Sequence, residues 1–322
     1  MGLCNSKSLA RKTAAKQVFN PVDSYQSTRS MLHDDHKKNK SKTSNVRELK
    51  RSNTENSCND DNICDENSID LDEIEHQILK DVWKGNFCSG INEELQNDQK
   101  HVLDVACGRG YWIREMSKEF PNSYFTGIQA SPGQKVELPH NTAIVSMDIL
   151  NRLTYGNDSF DYVHMRCLDP NFTENQWKII INEIVRITKP QGIVEIVVGG
   201  HECEDSGPTM KQLCNTRRVI LEQNEIKTDM IKDLENLMFN TKKFVSLEKQ
   251  IRKIPIGKSF GKAGEMFHNY FSYIIESFHE PLFSYLGKSP EEFNEMMVTL
   301  NYELDKFKNS NFQCVRIFGK KV

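Results

Sequence analysis

The sequence predicts an α/β fold, a mostly parallel sheet with helices on both faces, and three observations predict it. The first is His101-Val102-Leu103-Asp104-Val105-Ala106-Cys107-Gly108-Arg109-Gly110, where Val102, Leu103 and Val105 suit a strand covered on both faces. That strand carries Asp104 near its end and runs into a turn whose Gly108 and Gly110 allow positive φ and close approach to a ligand. The second is the amphipathic helix pattern over 112–120 that follows directly. The third is the alternation of strand and helix patterns down the chain, as a doubly wound sheet requires. A strand, a glycine turn and a helix in this order describe a nucleotide-type binding site, although the same turn also serves simple packing.

The elements follow in order. An amphipathic helix over 71–83 precedes the first strand. Strands are predicted near 101–106, 123–129, 143–147, 159–164 and 193–198, with a helix over 174–188 joining the fourth and fifth. Lys189-Pro190-Gln191-Gly192 ends that helix with breaker residues. After His201 the pattern changes to long helical stretches over 209–240, 263–280 and 290–308. Two segments there, 244–256 and 312–318, alternate like strands.

Further motifs carry a resemblance. Phe125-Thr126-Gly127-Ile128-Gln129-Ala130-Ser131-Pro132, Asp148-Ile149-Leu150, Asp158-Ser159-Phe160-Asp161-Tyr162-Val163-His164-Met165-Arg166 and Ile184-Val185-Arg186-Ile187-Thr188-Lys189-Pro190 follow the glycine turn in order. Together with it they resemble the class I S-adenosylmethionine-dependent methyltransferases. Val82-Trp83-Lys84-Gly85-Asn86-Phe87 and Phe172-Thr173-Glu174-Asn175-Gln176-Trp177 are similar to segments of a fungal branch grouped with velvet-complex methyltransferase-like proteins. The resemblance covers roughly residues 71–322 and implies a Rossmann-like seven-stranded, mostly parallel sheet with an antiparallel last strand. It implies a domain over 69–322, with a core over 98–200 and a helical cap with the last two strands over 201–322.

The resemblance also implies a cofactor, S-adenosyl-L-methionine, and roles for individual residues. Asp104 would accept from its ammonium group or orient the turn, while Ala106, Gly108 and Gly110 would bring the backbone close. Ile128 and Ile149 would sandwich the adenine and Asp148 would accept from its exocyclic amine; the alternative is sheet core for the isoleucines and a turn cap for Asp148. Two departures bear on the chemistry. Ala106 stands at the first motif glycine, a change tolerated if φ there is negative. Gln129 stands at the acidic position that accepts from both ribose hydroxyls, and neutral hydrogen bonds are about half as strong as charge-assisted ones. His164 and His201 follow the fourth and fifth predicted strands, at the carboxyl edge where open sheets bind ligands, and are the candidate general bases.

The glycine spacing disfavours a nicotinamide site, because Gly-x-Gly-x-x-Gly is absent from the turn. Nine cysteines occur without a Cys-x-x-Cys pair, and no long apolar leader precedes them, so reduced thiols in a cytoplasmic setting are expected. His201-Glu202-Cys203 lacks the third and fourth ligands that zinc needs, and no metal is expected.

The global charge of -3 hides a strong segregation. Residues 1–51 hold twelve Lys/Arg against four Asp/Glu, and residues 52–75 hold nine acids and no Lys or Arg. Residues 1–68, rich in Ser, Asn, Lys and Asp, are expected to form a disordered arm. Met1-Gly2-Leu3-Cys4-Asn5-Ser6 fits a myristoylation pattern at Gly2, with Cys4 available for palmitoylation. Lys7, Arg11, Lys12 and Lys16 would meet an anionic membrane surface. The alternative is a basic tail that binds nothing in particular or serves nuclear import. Nucleic-acid binding is not expected, since no aromatic platform interleaves with the basic residues. Two functional classes remain: an active methyltransferase acting on a small molecule or protein, and a catalytically weak relative acting as a tethered binding or regulatory module. The acceptor and the oligomeric state stay open.

Overall fold

The computed structural model describes residues 70–87, 89–130, 137–169 and 172–322. The predicted arm, with Gly2, Cys4 and its basic cluster, lies outside the described residues. Helix α1 (Leu71–Trp83) opens the described chain, its Asp70 cap accepting a hydrogen bond from the Asp72 amide. Helix α2 (Asn92–Asn97) leads into β1 (His101–Val105), which feeds α3 (Tyr111–Glu119). Strands β2 (Tyr124–Gln129), β3 (Thr142–Ser146) and β4 (Phe160–Cys167) follow, then α4 (Glu174–Ile187) and β5 (Thr188–Glu204). Helix α4 begins on a Thr173/Gln176 capping box, two backbone donors satisfied reciprocally. Helices α5 (Pro208–Gln223) and α6 (Met230–Asn240) precede β6 (Glu248–Pro255). Helices α7 (Gly261–Ser277), α8 (His279–Leu286) and α9 (Pro290–Lys306) lead to the final β7 (Asn311–Lys320).

The seven strands form one sheet in the order β3-β2-β1-β4-β5-β7-β6. Strands β1 to β5 pair in parallel, and β7 runs antiparallel to both β5 and β6. The chain steps outward from β1 to β2 and β3, then returns to place β4 on its other side. Strand order therefore reverses between β1 and β4, which opens a crevice beyond their carboxyl ends. Core residues pack on both faces: Leu103, Val105, Ile128, Met165 and Trp177 on one, and Val102, Trp112, Ile113, Met116 and Phe125 on the other. A third apolar cluster joins α1 to the helices after β5, through Ile78, Leu79, Tyr270, Phe271 and Leu300.

The structure extends two predicted strands and moves the residues assigned to their ends. Strand β4 continues through His164 to Cys167, and β5 runs from Thr188 through the Lys189-Pro190-Gln191-Gly192 breaker to Glu204. Gln191 takes positive φ there, and its amide donates to the Lys321 carbonyl. Irregular pairing between Gly199 and Cys203 bends β5. A side chain at Gly199 would stand 2.1 Å from the Leu168 carbonyl oxygen, so the close approach of the Leu168 backbone to β5 depends on glycine. The predicted helix over 209–240 is two helices separated near Glu225, whose φ is positive.

Candidate functional site

The turn after β1 is built on alternating left-handed residues: Ala106 at φ 61°, Gly108 at 55° and Gly110 at 78°. The condition of negative φ at Ala106 is not met; its methyl group sits in a region that costs an L-residue roughly 1–2 kcal/mol. Gly110 answers the φ of the turn, and a Cβ there would lie 2.6 Å from Ile144 Cδ1, which would have to move aside. Gly127 lets β2 pass the turn, since a Cβ there would meet Cys107 Sγ at 2.7 Å.

Beside this turn lies a cleft of about 330 Å³, including its open mouth, lined by Asp72, Glu75, His76, Asp104, Ala106, Cys107, Gly108, Tyr111 and Arg166. Predicted residues Asp104, Ala106 and Gly108 are part of that wall, and Gly110 caps the helix that follows. The rest of the wall comes largely from α1, which sequence reasoning treated only as a helix. The signal available was its acidic, histidine-bearing face: Asp72, Glu75 and His76 interrupt the apolar stripe of Leu71, Ile74, Ile78 and Leu79.

Helix α1 is tied to the turn by its acidic first residues. Asp72 accepts from the Arg109 amide at 2.8 Å, and Asp70 accepts from the Arg109 guanidinium at 2.7 Å and from the Tyr111 hydroxyl. Burial, followed by the bond to Asp70, raises the Tyr111 hydroxyl above its ordinary pKa. One turn further along α1, His76 Nε2 donates to Glu115 at 2.7 Å and His76 Nδ1 accepts from Arg166 at 2.7 Å. This assignment follows from Arg166 having only donors to offer. Burial, reinforced by the Arg166 cation, lowers the His76 pKa to about 4, so the ring is neutral near pH 7. Burial opposes ionisation of Glu115, but bonds from Lys80, Asn86 and His76 outweigh it and hold the carboxyl below its ordinary range.

Glu75 is buried where three elements meet. It accepts from the Leu168 amide, beyond β4, at 3.2 Å and from the Tyr270 hydroxyl of α7 at 3.0 Å. Arg166 lies in the field of Asp104 first and Glu75 second, which oppose the lowering of its pKa by burial.

The two histidines assigned as bases are placed elsewhere than predicted. His164 is inside β4, opposite Asp104 on β1, with Nδ1 2.9 Å from Asp104 Oδ1. Its ring stacks on Trp112 at 4.0 Å and is only 1% exposed, so it orients Asp104 from beneath the cleft. His201 is buried in the bent part of β5 and bonds Arg217, which in turn grips both oxygens of Asp169. Neither ring occupies an open loop. These strands accept polar residues because neighbouring strands or helices satisfy them.

Ile128 is 0% exposed within the sheet core, the alternative position given for it above. Ile149 is also mostly buried, and Gln129, Ile149 and Asp148 lie at the carboxyl ends of β2 and β3, outside the cleft lining. Asp148 caps its own turn, accepting from the Leu150 amide at 2.9 Å and from Asn151 at 2.8 Å. Each oxygen retains a second lone pair for a further donor. Among the described residues no group of three or more His, Cys, Asp or Glu side chains has the arrangement of a metal site. The described cysteines Cys107, Cys167, Cys203, Cys214 and Cys314 are free thiols.

The sheet order and the turn after β1 are those of the Rossmann-like methyltransferase fold, and residues 102–192 match the family described as "Methyltransferase domain". The chain is similar to fungal proteins of the laeA type and spans less than half the length of the first of them. It is 29% identical over 167 residues to "Secondary metabolism regulator laeA" of Coprinopsis cinerea, covering 50% of this chain and 39% of that protein. It is 25% identical over 194 residues to "N-methyltransferase verN" of Clonostachys rogersoniana, covering 58% of this chain and 67% of that protein. Among solved structures, Haemonchus contortus phosphoethanolamine N-methyltransferase 2 with S-adenosyl-L-methionine is similar over 80% of this chain and 61% of that one, at 15% identity and a TM-score of 0.42.

The donor set fits the cofactor's amino acid end. The left-handed turn aims backbone at the cleft, and its Arg109 amide already receives a carboxylate from Asp72, showing that this turn accepts anions. Asp104 and Arg166 supply opposite charges across the same cleft, matching an ammonium and a carboxylate.

Proposed function

We propose that this protein is a working methyltransferase that holds S-adenosylmethionine between the turn after β1 and helix α1. The observation that carries the reading is the cleft itself, with Asp104 at the end of β1, left-handed Ala106 and Gly108, and Arg166 facing them. When bound, the cofactor supplies a methyl group on a sulfonium leaving group. The chain's own residues bind, orient and exclude water. Asp104, fixed by His164, is suited to the cofactor's ammonium, and Arg166, held by His76, to its carboxylate. Gln129 and Asp148 stand at the strand ends where the ribose and adenine would extend, with Ile149 at the edge. Positioning of this kind supplies much of the rate for an in-line displacement.

Calorimetry with S-adenosylmethionine tests the reading. Saturable binding is expected, and a Gln129→Asp variant is expected to bind about tenfold more tightly by exchanging a neutral acceptor for a charged one. No heat at high cofactor concentration overturns it.

Gln129 favours a second reading, a catalytically weak member acting as a regulatory module tethered through Gly2 and Cys4. The laeA-type relatives carry regulator names, which supports this reading too. Binding without methyl transfer to any protein or small-molecule fraction would favour it over the first.

A further inference from the structure

The edge of the sheet opposite the cleft carries a surface that neither functional reading uses. Helix α6 ends beside Phe239, and residues 241–247 turn back from it into β6. The base of that turn is fixed: Phe244 is buried and bridges Lys321, and the Lys243 carbonyl accepts from the Val322 amide at 2.9 Å. Its tip stands in solvent, with Val245 79% exposed, more than any other large apolar side chain among the described residues. Phe239 and Val322 are exposed on the same corner, since the Lys242 amide donates to the Phe239 carbonyl at 3.0 Å and Val322 bonds Lys243. Scattered exposed apolar side chains are ordinary, whereas these three surround two exposed lysines, Lys242 and Lys243.

Charge sets the corner apart. The sequence as a whole carries 42 Lys/Arg against 45 Asp/Glu, but Phe239 to Pro255 carry Lys242, Lys243, Lys249, Arg252 and Lys253 against Glu248 alone. The carboxylates of the surrounding elements are taken by other lysines: Glu235 of α6 by Lys249, Asp158 before β4 by Lys321, and Glu94 of α2 by Lys100 and Lys320. Lys242 and Lys243 have no carboxylate partner among the described residues. Strand β6 lies at the edge of the sheet, where lysines commonly block pairing with another chain. That role accounts for Lys249, Arg252 and Lys253, but Lys242 and Lys243 precede the strand and stand beside an exposed valine.

We infer that this corner binds an anionic phospholipid surface, with Lys242 and Lys243 on the headgroup anions and Val245 and Phe239 entering the boundary between headgroups and acyl chains. An apolar tip beside unpaired cations suits a fluid anionic interface, whereas a folded partner would need a packed patch or pocket to bury. Lys321, next to the corner, bonds Gly192 where β5 enters the parallel part of the sheet, while the cleft opens where β1 and β4 leave it. Binding here therefore leaves the cleft uncovered. The inference does not depend on acylation at Gly2, although a single acyl chain anchors only marginally and gains from a second contact of this kind.

The test mixes the full, non-acylated chain with vesicles of phosphatidylcholine alone or with about 30% phosphatidylserine. Sedimentation with the anionic vesicles only is expected. Replacing both lysines, Lys242→Ala with Lys243→Ala, is expected to lower the partition coefficient about tenfold, and Val245→Asp by at least as much. Both changes fall on an exposed turn and are expected to leave thermal unfolding unchanged. The basic residues of 1–51 attract the same vesicles, so location is read separately. A Val245→Trp variant is expected to show emission quenched by brominated lipid. The wild type, whose Trp112 and Trp177 are buried and whose Trp83 is covered by Arg316, is expected to show little. Sedimentation without that quenching assigns the binding to the N-terminal stretch and overturns the proposal. Equal sedimentation with neutral vesicles, or none with either, overturns it too. Neither readout requires the cofactor, so failure here is distinct from failure of the cofactor reading.

Discussion

Ala106 shows how one residue reports on the demands of the turn. Its φ of 61° is imposed by the path that brings Cys107 back to pair with Ile128, the Cys107 amide donating to the Ile128 carbonyl at 2.8 Å. Replacing it with glycine removes roughly 1–2 kcal/mol of left-handed strain and adds about 0.5–1 kcal/mol of chain entropy to the unfolded state. Ala106→Gly is therefore expected to stabilise the protein by about 0.5–1 kcal/mol in denaturant unfolding; a destabilised variant would show that the methyl packs usefully. The glycines of the turn were legible in the sequence, because Gly108 and Gly110 answer a backbone requirement that only a few residue types meet. The φ at Ala106 was not, since alanine is compatible with many conformations and only the folded turn excludes them. The position of His164 inside the sheet has a related cause: a buried Asp104–His164 pair in register lets β4 continue through a polar position to Cys167.

At the scale of elements, α1 has a chemistry of its own. It is an amphipathic helix whose buried face carries a glutamate and a histidine as well as leucines and isoleucines. His76 joins it to α3 through Glu115 and to β4 through Arg166. The neutral ring is required in the fold, while in the unfolded chain it takes up a proton near pH 6.5. Its pKa is lower folded than unfolded, so the contribution is fully present above about pH 6.5 and is lost as the pH falls toward 4. On the order of 3 kcal/mol is involved. Wild-type stability is expected to fall more steeply than that of His76→Gln between pH 6.5 and 4 in urea titrations, and parallel curves would rule out this linkage. The sheet was legible because parallel strands buried on both faces read as apolar runs. The cleft wall was not, because Glu75 meets partners 93 and 195 residues away, and no local pattern encodes such distances.

At the scale of the whole molecule, charge and architecture are arranged in sequence. A basic stretch is followed by an acidic one, and the acidic one runs directly into α1, whose Asp70 and Asp72 bind the turn. If the basic stretch is acylated at Gly2 as the second functional reading holds, Gly2→Ala is expected to move the protein from the membrane to the soluble fraction. An unchanged partition sinks that reading of the N-terminus. Neighbouring strands are also tied by charge: Arg316 of β7 lies 3.0 Å from Glu195 of β5, while its guanidinium covers the Trp83 ring of α1 at 4.3 Å. Removing one partner of such a buried pair would leave the other charge uncompensated.

The long reach of Glu75 also sets an order of assembly during synthesis. Helix α1 leaves the ribosome before any strand of the sheet, yet Leu168 appears 93 residues later and Tyr270 195 residues later. Arg316, which covers Trp83, comes later still. The first of the described helices is thus among the last to gain its full set of contacts, and a nascent chain stalled before α7 has the glycine turn but only part of the wall that faces it.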